Sequence, residues 1–114
     1  MDLDALAQSI RQTSSDPIAL NISDFLVSWK DDKATVTELE QRIEIHLDKI
    51  LAKNAEEHGK IYSLWSEFRG EAIYGIRGMT MNERLYCFSL FPRWENTATD
   101  EEQKAIYAKL LANP

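Results

Sequence analysis

Thr35-Val36-Thr37-Glu38-Leu39-Glu40-Gln41-Arg42-Ile43-Glu44-Ile45-His46-Leu47-Asp48-Lys49-Ile50 decides the fold. Val36, Leu39, Ile43, His46, Leu47 and Ile50 fall on one stripe at about 3.6 residues per turn, with Leu51 at its edge. Thr35 and Glu38 match a capping box. In that motif the threonine hydroxyl accepts from the amide three residues on, and the glutamate reaches back to the threonine's own N–H. The same pair recurs at Thr80 with Glu83 and at Thr99 with Glu102, each time ahead of an apolar-periodic stretch. Repeated helix starts of this kind, with no sustained alternation bounded by hairpin dipeptides, predict an all-α fold.

Toward the N-terminus, a helix is expected from about Asp2 to Arg11, with Leu3, Leu6, Ala7 and Ile10 inward. Thr13 to Pro17 breaks it, and Asp16 followed by Pro17 has the form of a cap with proline at the first helical position. Ile22, Phe25, Leu26 and Trp29 predict a helix from about Ser23 to Lys30. The alternation of Ile18, Leu20 and Ile22 leaves residues 17–23 open between helix and a short extended piece.

Toward the C-terminus, the long helix is expected to end between Asn54 and Gly59, with Gly59 as the stop. The next begins near Lys60 and turns Ile61, Leu64, Trp65, Phe68, Ala72 and Ile76 inward, ending between Gly75 and Gly78. A helix from Thr80 carries Met81, Leu85, Phe88 and Phe91, and Pro92 is expected to end it. After a turn at Asn96-Thr97-Ala98, the last helix has Asp100, Glu101 and Glu102 in its first turn and Lys109 near its end, as the helix dipole favours. Ile106, Tyr107 and Leu110 form its inner face. The expectation is one domain, residues 1–114, built as a compact bundle of about five or six helices with short connections. Trp29, Trp65, Trp94, Phe25, Phe68, Phe88 and Phe91 supply its core.

Nineteen acidic side chains against thirteen basic ones give a net charge of −6. Such a surface repels nucleic-acid phosphates and anionic membranes and attracts a basic protein. No apolar run approaches the roughly 18 to 20 residues of a membrane span. Met1-Asp2-Leu3-Asp4 lacks the basic start of a secretory signal, and Cys87, alone, makes no internal disulfide; a cytoplasmic location is expected.

Catalytic and metal chemistry find little support. His46 and His58 are widely separated, and no H-E-x-x-H or C-x-x-C occurs. His46 reads as a hydrogen-bonded core or boundary residue, His58 as an exposed residue at a helix end. Cys87, between Tyr86 and Phe88, reads as a buried, inert thiol. Gly75-Ile76-Arg77-Gly78 lacks the Lys-Ser/Thr ending of a phosphate loop and follows no strand, so it reads as a tight turn between helices. No cofactor and no catalytic residue is assigned, and the chain is expected to be a binding protein, not an enzyme.

One surface feature stands out. Glu40, Glu44 and Asp48 recur every four residues along the long helix, and none of Arg42, Lys49 and Lys53 stands between them at that spacing. Like charges at this spacing oppose one another by about 0.2–0.5 kcal/mol per pair, so a basic partner covering them would offset a standing cost. Asp31 and Asp32 in the preceding turn could extend the same surface. The competing reading is an ordinary solvated face.

The segment Ile61-Tyr62-Ser63-Leu64-Trp65-Ser66-Glu67-Phe68, followed by Gly78-Met79-Thr80-Met81-Asn82-Glu83-Arg84-Leu85-Tyr86, resembles small bacterial helical proteins carrying a G-M-T-x-N-E-R-L box. It is similar to the small acidic immunity proteins of polymorphic or contact-dependent growth-inhibition toxin systems. The stretch from Phe25-Leu26 to Leu47 is loosely similar to colicin-type immunity domains. Pro92-Arg93-Trp94 departs from the acidic helical continuation of the box. The resemblance implies a cytoplasmic inhibitor that neutralises a cognate toxin, a nuclease being favoured because nucleases present basic surfaces. It carries over no functional residue. The alternative is an intracellular helical adaptor or regulatory protein with no toxin partner.

Overall fold

The computed structural model describes residues 1–114 and contains helices and turns with no strand. Seven α-helices follow one another: α1 Leu3–Thr13, α2 Pro17–Trp29, α3 Val36–Lys53, α4 Ala55–Phe68, α5 Met81–Cys87, α6 Phe91–Glu95 and α7 Asp100–Lys109. A π-helical turn, Arg69–Ile73, and a 3-10 turn, Ile76–Gly78, join α4 to α5. The all-α class stands as expected, with a count one above the expected range because α6 is a separate short helix.

Side-chain caps start most of these helices. Asp2 accepts from the Ala5 amide at 2.8 Å and Asp16 from the Ile18 amide at 2.9 Å, with Pro17 in the first turn of α2. That cap makes residues 17–23 helical throughout; the extended alternative does not occur. The boxes at Thr35 and Thr80 are complete. At Thr99 the hydroxyl accepts from the Glu102 amide at 3.2 Å, but the Glu102 carboxylate accepts from the Ala98 amide instead, so that box is half formed.

Two boundaries differ from expectation. Asn54 both closes α3 and opens α4: its amide donates to the Ile50 carbonyl at 2.7 Å, and its side chain accepts from the Glu57 amide at 3.1 Å. The break therefore falls five residues before Gly59, which lies inside α4 and stops nothing. Pro92 sits in the first turn of α6, where a missing N–H is harmless, so it begins a helix where it was expected to end one. What ends α5 is a Schellman turn: Ser89 adopts φ 57°, the Ser89 amide donates to Tyr86 and the Leu90 amide to Leu85.

The apolar stripes of α1 to α4 meet in one core. Leu6, Ile10, Ile22, Leu26, Leu39, Ile43, Ile61 and Trp65 are fully buried there. Trp29, Phe88, Phe68 and Trp65 form a continuous aromatic chain, with successive ring centroids 5.6, 5.6 and 6.0 Å apart. Each such ring buries on the order of 150–250 Å², worth several kcal/mol at about 25 cal/mol per Å². Phe25, Phe91 and Trp94 pack against this core from its edge, half buried.

The C-terminal helix docks largely through polar anchors. Lys109 is 5 % exposed, and its ammonium donates to the Asp32 carbonyl, the Asp32 carboxylate and the Ala34 carbonyl at 2.9, 3.1 and 2.8 Å. The same ammonium stands 3.9 Å from the Trp29 ring centroid. Leu110 is buried beside it, and Ile106 and Tyr107 are half buried.

Candidate protein-binding surface

Helix α3 turns its apolar stripe inward and so carries Glu40, Glu44 and Asp48 along the edge that faces α4. Their environments differ. Glu44 accepts from Arg69 Nη1 at 2.6 Å, and the Arg69 side chain is only 16 % exposed. Glu40 is half buried, with Oε2 shielded from water and accepting no hydrogen bond. Burial pushes its carboxyl above the usual glutamate range, and Glu44 adds to the effect, while Arg69 opposes it. Asp48 is exposed, two turns from Glu40, about 12 Å along the axis. No cation lies within ion-pair distance of Asp48 or of Glu40.

Asp31 and Asp32 do not join this row. Asp31 accepts from Arg93 Nε and Nη2 at 2.5 and 2.9 Å, a bidentate pair that holds its carboxyl below the ordinary aspartate range. Asp32 is held by Lys109, with Arg42 4.0 Å away on its other oxygen. Both line a cavity of about 460 Å³ between the 30–35 turn and α7. Of its other lining charges, Lys30 pairs with Asp4 at 2.6 Å, while Lys33 has no ion-pair partner. The five acids expected to form one basic-partner surface thus divide. Two anchor α6 and α7, one is neutralised by Arg69, and Glu40 and Asp48 remain unpaired.

Beside the unpaired acids the structure places aromatic groups that sequence reasoning missed. Arg69 donates through Nη2 to the Tyr62 hydroxyl at 3.2 Å and lies against two rings, 5.6 Å from the Tyr62 centroid and 5.3 Å from that of Tyr74. The hydrogen bonds to Tyr62 and then to Glu44 raise its pKa further. His58 stacks on Tyr62 at 5.4 Å. Tyr62 and Tyr74 are 39 % and 66 % exposed, so two tyrosine rings face solvent, with half-buried His58 and Arg69 packed against them. A shallow cavity of about 110 Å³ is bounded by Glu44, Leu47, Asp48, His58, Tyr62 and Arg69. The usable signal was the spacing of His58, Tyr62 and Arg69, four and seven residues apart along α4 and the turn that follows it.

His46 occupies the boundary position its spacing implied: Nδ1 lies 2.8 Å from the Arg42 carbonyl and the ring stacks on Phe25. Cys87 is half buried, and burial pushes its thiol pKa up, the direction of an unreactive thiol. No group of three His, Cys, Asp or Glu side chains stands close enough to hold a metal ion. No helix is long and apolar enough to cross a membrane. Compared with family models, curated proteins and solved structures, the chain matches none.

Proposed function

We propose that this chain is an inhibitor-type binding protein of the immunity class, which neutralises a basic toxin domain, a nuclease by preference, through the α3–α4 face. The observation that carries this reading is the pairing of two unneutralised acids, Glu40 and Asp48, with two exposed tyrosines, Tyr62 and Tyr74, held against Arg69. Tyrosine and arginine are enriched among the residues that carry most of the binding energy in protein interfaces, and tyrosine buries large area at low entropic cost. Acidic groups beside them speed encounter with a basic surface and reject acidic competitors. Asp48 is the acid such a partner reaches directly, since it is exposed and unpaired, whereas the unpartnered oxygen of Glu40 is shielded inside the fold.

The test is co-expression with the toxin domain encoded beside the gene, reading rescue of growth. Rescue is expected from the parent chain. Tyr62→Ala should weaken the purified complex by about 2 kcal/mol or more. Asp48→Lys should slow association, with most of the loss at low salt. Rescue that survives Tyr62→Ala with Asp48→Lys would move the contact elsewhere on the molecule. Failure of rescue together with recovery of a non-toxic partner would favour the adaptor reading.

A further inference from the structure

Four of the six arginines, Arg11, Arg42, Arg69 and Arg93, pair with carboxylates. The two that do not, Arg77 and Arg84, line the same cavity. It has a volume of about 330 Å³ between the 3-10 turn, the start of α5 and the end of α7, and no carboxylate lines it. In a chain with six more acidic than basic groups, a concavity holding two unpaired guanidinium groups runs against the overall charge.

Arg84 is built into this place. It is 9 % exposed, its Nη1 donates to the Leu110 carbonyl at 3.0 Å, and its Nε has no acceptor. The carbonyl end of α7 offsets part of the burial. A single carbonyl leaves most of the five N–H donors of a buried cation unused, and a buried charge without a counter-ion is costly. Met79, Met81, Tyr107 and Leu111 supply the apolar part of the lining, beside Asn113. Tyr107 is set edge-on to Trp94, with centroids 5.4 Å apart. Leu111, also in the lining, adopts φ 56°, a left-handed conformation that a bulky side chain rarely takes.

We infer that this cavity binds a small organic carboxylate, its charge on Arg84 and Arg77 and its apolar body against Met79, Met81 and Tyr107. The guanidinium fork matches a planar carboxylate in geometry as well as charge. The thioether and ring walls favour an organic acid over a bare inorganic anion. The volume lies at the lower end of small-molecule sites, roughly 300–1,000 Å³. The cavity shares no lining residue with the one beside Asp48, so the inference stands apart from the proposed protein contact.

Titration of the ¹⁵N-labelled full chain with sodium benzoate, against sodium chloride at equal ionic strength, tests it. Saturable shifts are expected at amides of residues 77–84 and 107–113, with those of α3 unmoved. Arg77 is exposed and unpaired, so Arg77→Gln should fold normally and weaken benzoate binding by about tenfold or more. Inorganic phosphate is the comparison and should shift the same amides less. Three results would each overturn the inference: shifts no larger than those of chloride, phosphate binding as tightly as benzoate, or unchanged affinity in Arg77→Gln.

Discussion

Glu40 shows how one side chain can oppose the fold that carries it. Its carboxyl pKa is raised by burial and by Glu44, so the folded chain keeps a proton at pH values where the unfolded chain has lost it. The corresponding stabilisation is present at low pH and is lost as pH rises through the folded value. Glu40→Gln should therefore raise stability at pH 7 by about 0.2–0.5 kcal/mol, the scale of one like-charge contact on a helix, and leave it unchanged near pH 3. Urea midpoints at the two pH values check this, and an equal gain at both would show that titration is not the cause. The periodicity of Glu40, Glu44 and Asp48 was legible in the sequence. Their fates were not, because Arg69 reaches Glu44 from 25 residues away and Arg93 reaches Asp31 from 62. Long-range ion pairs leave no mark in local spacing.

At the scale of elements, two glycines separate chain geometry from residue preference. Gly59 was expected to be a stop because glycine commonly follows a helix, but Asn54 had already capped the turn. A Cβ at Gly59 meets nothing within 4 Å, and the residue is exposed within α4. Gly59→Ala should stabilise the protein by about 0.5–1 kcal/mol, whereas a helix stop at a left-handed glycine would respond in the opposite sense. Gly75 is the contrary case, since a Cβ there would stand 2.8 Å from the Glu71 carbonyl oxygen. Gly75→Ala should cost about 1–3 kcal/mol, because that oxygen belongs to backbone held by the π-helical turn. Thermal or urea denaturation of the two variants settles both signs. Where caps and stripes agreed, at both ends of α1 and at the start of α3, the boundaries were predicted to within about two residues, the usual uncertainty of helix ends. Errors came where one residue type serves two ends of a helix, as with Asn54 and Pro92.

Across the whole molecule, the apolar core is concentrated in α1 to α4, and α7 holds on by Lys109, the buried Leu110 that follows it and the Arg84 contact with the Leu110 carbonyl. Amides of α7 should then exchange with solvent at least about tenfold faster than those of α3 in native-state hydrogen exchange. Lys109→Met should widen that gap, because it leaves the Asp32 and Ala34 carbonyls without their donor. Uniform protection across all the helices would show instead that α7 opens only with the rest. The corner at Asn54 behaves differently from this loosely held end. With no spare residue between two capped helices, it works as an elbow without a hinge. An incoming protein would find His58 and Asp48 already at their final separation, with little chain freedom left to surrender on docking, and a mismatch in its own shape could not be absorbed there.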